Sequence, residues 1–391
     1  LSPGKRNAAL ILINTALFFA GYNAMVAVFP LYVVYRGGGE GVVGLLVGLF
    51  SLSAVVLRFF LTKAAERRGQ KWLLAAAVLS AGTAPLLYLL DLGLWYLAAV
   101  RIYHAVSLAA FITASQTVLA ASAPPEKRGR LFGLYGVVTG LAMAGAPSLG
   151  QWVSAKWGYA AFFVGTGLLG LAMVPGQVLL KEPQGAAGQG QAAVPWREVL
   201  ANRWVVSASL GVAAAAAALG GLSSFLPLYT QKLGLTQFGI YFAAFSLAYT
   251  LGGYGAGVLS DRFGRRAVVL WSLPLLSLGL VGLVRLGGYL PLAGCGLCIG
   301  FGFGAASTAL LVLVTDKTKE RERAQAVTFY NNCIDLGMSG GAMLLGGVAA
   351  LSYNLLWILL SLITAAGFAL VLLGMPREGA APAPAEGKWR K

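Results

Sequence analysis

The sequence predicts an all-α chain that crosses a lipid bilayer twelve times, as two six-helix halves related by a pseudo-two-fold axis. Three observations lead there: a shortage of charge, the spacing of the apolar stretches, and a repeat between the halves. Of 391 residues, 58% are hydrophobic and 11% charged, with a mean hydropathy of +0.76. A soluble domain carries roughly a quarter charged residues, so most side chains here never meet water. The 53 glycines fit the same class, because glycine is more common in membrane helices than in soluble ones. The formal net charge of +16 lies in short basic runs between apolar stretches. That is the pattern of loops facing anionic lipid, not of a nucleic-acid surface.

A hydrocarbon core about 30 Å thick takes about 20 apolar residues at 1.5 Å each. On that ruler the first half contains spans at 8–34, 41–63, 72–90, 93–121, 130–153 and 158–180. The second contains 204–230, 237–259, 267–285, 288–315, 324–350 and 353–374. The first run, Ala8 to Val34, has no cleavage pattern after it and reads as a span, not a removable leader. Alternate connections carry the basic residues: Lys5 and Arg6, Lys63 to Lys71, Lys127 to Arg130, Lys181 to Arg203, Arg262 to Arg266, and Lys317 to Arg323. The opposite connections hold only Arg36, Lys156, Lys232 and Arg285. The positive-inside rule then puts the basic set and both ends of the chain in the cytoplasm, as expected for an even number of spans in a bacterial cytoplasmic membrane. The expected division is 1–181 for the first half, 182–203 for a flexible Gly/Ala/Gln-rich linker, 204–375 for the second half and 376–391 for a disordered tail.

The halves repeat at a nearly constant offset. Glu66-Arg67-Arg68-Gly69-Gln70-Lys71 follows the second span and Asp261-Arg262-Phe263-Gly264-Arg265-Arg266 follows the eighth. Tyr135 and Tyr330 keep that offset, and Phe29-Pro30-Leu31-Tyr32 matches Leu226-Pro227-Leu228-Tyr229. Parallel halves of this kind mark secondary transporters, with the substrate site between them near the midplane.

Gly257-Val258-Leu259-Ser260-Asp261-Arg262-Phe263-Gly264-Arg265-Arg266 resembles the loop signature of the major facilitator superfamily at every defined position. The first-half copy departs at Thr62, Glu66 and Gln70. The resemblance implies a cytoplasmic gate built from Glu66, Arg67, Gly69, Gly257, Asp261, Arg262, Gly264, Arg265 and Arg266. Gly140 to Gly150 is similar to the glycine-proline segment of the family's proton-driven drug exporters, departing at Ala142, Ala146 and Gln151 where glycine is usual. Cys333 to Gly337 resembles a segment of bacterial efflux permeases, and Arg101 looks like the family's buried fourth-span arginine.

Charges inside a bilayer cost several kcal/mol when unpaired, so each is a functional candidate. Asp335 lies about 16 Å into the eleventh span. A carboxylate there balances desolvation against any nearby cation and suits either proton coupling or a structural ion pair. Arg101 cannot titrate; it can tune a carboxylate, bind an anionic substrate group or hold helix carbonyls. His104 shares the Arg101 face and is either a proton relay or a packing residue. Arg58, near the basic end of the second span, either snorkels to the interface or pairs with Asp335 across the halves. Asn14, Tyr22, Asn23, Gln116, Tyr241, Tyr249, Tyr330, Asn331 and Asn332 are candidates for the substrate cavity, although Asn and Gln in membranes often only join helices.

Several motifs carry no chemistry. Gly300-Phe301-Gly302-Phe303-Gly304 lies inside an apolar span with no preceding strand, so Gly296, Gly300 and Gly304 read as a small-residue packing stripe. Cys295 and Cys298 lack a second ligand pair, so no metal or other cofactor is expected. The sequence offers neither a Walker motif nor an enzyme constellation. The expected partners are a small molecule, protons and lipid, with no nucleic acid, and one chain holding both halves suffices as a monomer. The resemblance implies proton antiport that exports small amphipathic organic molecules. An importer of a small nutrient, a non-transporting receptor and a lipid-handling protein of the same fold stand as alternatives.

Overall fold

The computed structural model describes residues 3–90, 92–122, 125–182 and 196–374, with side chains at all of these except 3, 66, 125–127, 129, 261, 320 and 324. Among them, ten helices are long and apolar enough to cross a membrane. Two further helices complete twelve. Gln70–Leu87 is an 18-residue helix whose polar first turn lowers its mean hydropathy. The run Pro125–Leu171 is two helices that meet at Gly158, where φ of 82° and ψ of 171° break the helix.

In chain order the first half comprises α1 (Pro3–Tyr35), α2 (Glu40–Arg68), α3 (Gln70–Leu87), α4 (Leu94–Ala121), α5 (125–157) and α6 (159–171, continued by Val174–Leu179). The second comprises α7 (Arg203–Lys232), α8 (Gly239–Phe263), α9 (Arg265–Leu283), α10 (Tyr289–Asp316), α11 (Glu320–Met343, continued by Gly346–Leu351) and α12 (Tyr353–Gly374). The helices outrun the hydropathy limits on the side of the basic connections: α1 starts at Pro3, α2 reaches Arg68 and α11 starts at Glu320. Hydropathy registers only the stretch inside hydrocarbon, whereas the backbone stays helical into the interface. The expected continuous span 324–350 is interrupted at Leu344 and Leu345. The stretch expected as linker contains a short helix, Trp196–Ala201, and residues 183–195, like the tail from 375, lie outside the described residues.

The sequence repeat is a repeat of bonds. The Tyr32 hydroxyl donates to the Tyr88 carbonyl at the end of α3, and the Tyr229 hydroxyl donates to the Leu283 carbonyl at the end of α9, both at 2.8 Å. Gly69 and Gly264 join α2 to α3 and α8 to α9 with φ of 88° and 84°, a conformation other residues rarely adopt. Tyr135 reaches Ser115 of α4 at 3.5 Å, and Tyr330 donates to the Ser307 carbonyl of α10 at 2.7 Å. The first half ends on Glu182, whose carboxylate accepts from the Gln70 and Lys71 amides at 2.6 and 2.9 Å. It thereby satisfies free donors at the N-terminus of α3.

The halves meet through α2 on α11, α5 on α8 and α1 on α7. On the side away from the basic connections, here the far side, contact is close. Gly44 abuts the Ala342 carbonyl, Gly48 abuts Met343 and Ser339, and Gly239 abuts Ser148. Lys232 of α7 donates to Glu40 of α2 at 2.8 Å, and the Tyr353 hydroxyl of α12 reaches the same oxygen at 3.2 Å. Contact is lost toward the basic side. Gly140 of α5 still touches Thr250 of α8, but one and two turns further on the same faces nothing approaches Gly136, Gly133 or Gly257 within 4 Å. Tyr254, one turn past Thr250, is 77% exposed. The halves therefore diverge toward the basic side.

Candidate functional site

A cavity of about 170 Å³ lies between the halves, nearer the far ends of α1, α2, α4, α7 and α8 than their basic-side ends. The glycine stripe of α10 helps to form its wall. Gly296, Gly300 and Gly304 press against the backbone of Tyr241, Phe245 and Tyr249, every fourth residue of α8. No side chain could stand at those positions without displacing backbone, so α8 is held firmly, with Tyr241, Phe242 and Phe245 on the cavity. Phe29, Phe50, Met25, Met143 and Met338 supply the rest of an aromatic and thioether lining.

Arg101 is 6% exposed and borders the cavity. Its Nε donates to the Leu46 carbonyl of α2 at 3.1 Å, and its guanidinium lies over Phe29 and Phe50, 4.2 and 4.4 Å from the ring centroids. No carboxylate of a described residue lies within ion-pairing distance of it. His104, also 6% exposed, contacts the Tyr88 hydroxyl through Nδ1 at 3.3 Å. It borders both the cavity and a pocket of about 20 Å³ between α1, α3, α4 and α6.

Asp335 and Arg58 do not line the cavity. They pair across the halves, with Arg58 Nη1 donating to Asp335 Oδ2 at 2.7 Å. Cavity-lining Met338 is three residues beyond Asp335 on α11, and cavity-lining Ser51 is seven before Arg58 on α2. At 1.5 Å per residue the pair sits about 5–10 Å to the basic side of the cavity. Arg58 thus turns inward, while Lys63, one turn further along α2, lies over the Phe59 ring, 4.2 Å from the centroid to its Nζ.

Among the expected cavity residues, Tyr22, Asn23 and Tyr241 line it. Tyr22 is within electrostatic reach of both Arg101 and Asp335. The others lie elsewhere. Asn14 is buried and donates to the Met173 carbonyl at 3.3 Å, joining α1 to α6. Tyr330 ties α11 to α10, and Tyr249 stacks between Phe245 and Phe303. Gln116 and Asn331 are exposed and Asn332 half-buried, all outside the lining. In the loop motifs, Arg265 bonds Ser260 at 3.0 Å and Asp316 at 3.2 Å, tying α8 to the end of α10. Arg67 and Arg262 are exposed, Arg266 is half-buried, and Gly257 has open space around it. The side chains of Glu66 and Asp261 lie outside the described residues. Sequence reasoning missed the Phe and Met lining and the Glu40–Lys232–Tyr353 cluster. The aromatic spacing Tyr241, Phe245 was a readable signal for the former.

Two six-helix halves enclose a central cavity that is closed at one end and parted at the other. The chain belongs to the Major Facilitator Superfamily, whose model matches residues 11–241 and 233–391. It is 26% identical over 254 residues to the MFS-type transporter SLC18B1 of Rattus norvegicus, covering 62% of this chain and 54% of that protein, and 25% identical over 309 residues to its Homo sapiens counterpart, covering 74% and 66%. The match thus spans little more than half of the rat protein. The quinolone resistance protein NorA of Staphylococcus aureus (strain MRSA252) is 22% identical over 290 residues, covering 71% of this chain and 73% of NorA. Among solved structures, a mutant of the nucleoside transporter NupG superposes with a TM-score of 0.81 at 12% identity, covering 95% of this chain and all of the other. A bacterial homolog of the human lysosomal transporter Spinster, inward-facing and unoccupied, gives 0.77 at 16%, covering 95% of each.

Proposed function

We propose that this transporter exports small amphipathic organic molecules across a bacterial cytoplasmic membrane in exchange for protons. The observation that carries this reading is the Arg58–Asp335 pair, a carboxylate engaged across the halves beside the cavity. With the basic side cytoplasmic, as the positive-inside rule directs, the structure represents an inward-open state. Substrate enters from the cytoplasm, and Asp335 is the proton carrier. Substrate binding carries the protein to the opposite state with Asp335 unprotonated and its pair with Arg58 broken. In the opposite state Asp335 takes up a proton from the far side, and its release inward restores the pair. Residues 1–181 and 204–375 are the rocking bodies, joined by the 182–203 connection. His104 is a candidate relay and Arg101 the fixed charge of the substrate site. The aromatic and methionine lining supports an amphipathic substrate, and the drug-resistance protein among the relatives supports export.

The test is flux in proteoliposomes of known orientation, using a panel of cationic, zwitterionic and anionic amphiphiles under an imposed pH gradient. Transport out of the cytoplasm-equivalent face that requires an opposing proton gradient supports the reading. Flux in the same direction as protons makes the protein an importer, and flux indifferent to the gradient removes proton coupling.

A further inference from the structure

We infer that the cavity selects organic anions: an aromatic or otherwise apolar body carrying one carboxylate-like group that meets Arg101. The assignment rests on the transporter reading of this cavity and adds the charge of its substrate. Two observations carry it. First, the charges do not balance. Arg58 and Asp335 neutralise each other at the basic-side edge, so Arg101 leaves the site with one excess positive charge. Its compensation comes from two aromatic faces, one carbonyl and the neutral Tyr88 hydroxyl. Such contacts ease a cation's desolvation without neutralising it. An anionic ligand group completes the site, whereas a cationic one meets repulsion in a low-dielectric setting.

Second, two other polar groups of the lining are engaged locally. Asn23 donates to the Phe19 carbonyl at 2.8 Å and Ser223 to the Gly220 carbonyl at 2.9 Å. No carboxylate is among the lining residues, so nothing there would neutralise an ammonium group. The Phe29, Phe50, Phe242 and Phe245 rings house the apolar body. Arg101 is then the specificity-determining residue.

The test uses the purified full chain in detergent, where neither gradient nor direction enters, so its outcome is separate from that of the export reading. Isothermal titration compares naphthaleneacetate with its neutral amide and with naphthylethylamine. The carboxylate is expected to bind about tenfold or more tighter than the amide, as a charge-assisted bond provides, and the amine weakest. Arg101→Gln should remove the preference for carboxylate over amide while Arg101→Lys keeps it. If Arg101→Gln does not yield folded protein, Met143→Glu, which adds a compensating carboxylate to the lining, should abolish the preference. Tightest binding of the amine, no measurable binding of the carboxylate, or a preference that survives Arg101→Gln or Met143→Glu overturns the assignment.

Discussion

The Arg58–Asp335 pair allows a quantitative prediction. It links α2 to α11 at 2.7 Å, with side chains 21% and 24% exposed. A fully buried pair costs about 3–5 kcal/mol when one partner is removed, and an exposed one contributes about 1 kcal/mol or less. A charge-assisted bond of this geometry and partial burial falls between, at about 1.5–3 kcal/mol. The pair bridges the halves in the state open on the basic side, so this energy biases the conformational equilibrium toward that state. Losing it shifts the ratio of the two access states roughly ten- to hundredfold. The assay is spin-label distance measurement between Leu134→Cys on α5 and Val258→Cys on α8, with Cys295, Cys298 and Cys333 replaced. Populations are compared for Arg58→Gln, Asp335→Asn, the double variant and the parent. Either single variant should move population to the short distance, and the double should cost little more than a single. The Arg58→Asp/Asp335→Arg exchange should recover most of the parental distribution. A coupling below about 0.5 kcal/mol, the usual additivity error, would refute the argument that this pair sets the balance.

Three further outcomes follow from the same geometry. Glu40→Gln removes the charge that Lys232 and Tyr353 share on the far side, so it should shift the same label pair toward the far-side-open state, by less than Asp335→Asn because Lys232 is 61% exposed. Gly44→Val, whose side chain has no room beside the Ala342 carbonyl, should prevent far-side closure and slow turnover severely with little loss of expression. Tyr32→Phe and Tyr229→Phe, removing matched bonds in the two halves, should each lower stability by about 0.6–1.7 kcal/mol, read as a drop in thermal midpoint; because the Tyr32 hydroxyl also accepts from Arg36 at 3.4 Å, a smaller drop for Tyr32→Phe than for Tyr229→Phe would contradict the equivalence.

The spans and the repeat were readable because hydropathy and spacing are properties of the chain alone. Tyr32 and Tyr229 occupy matched sequence places and make matched bonds. The glycine stripe of α10 announced its packing on α8 for the same reason, since a missing side chain is visible in the sequence. The cavity was less readable. In a soluble helix polarity separates inside from outside, but α10 is apolar all round and α8 nearly so. Nothing in the sequence therefore distinguished Tyr241, which faces the cavity, from Tyr249, which packs on Phe303. Asn14 and Tyr330 were drawn into the candidate site by their polarity, yet both serve helix joining within one half. The Glu40 cluster escaped notice because three residues at three span ends meet only after the halves assemble.

The central claim is that substrate and proton exchange through Asp335. Its most direct test is proton release on substrate binding, followed with a pH-sensitive dye in weakly buffered detergent solution as a transported amphiphile is added to the full chain. The account predicts net proton release for the parent, near one proton per bound molecule at a pH where Asp335 begins protonated, and none for Asp335→Asn at matched occupancy. Equal release from both proteins, or binding by the parent without release at any pH, would contradict it.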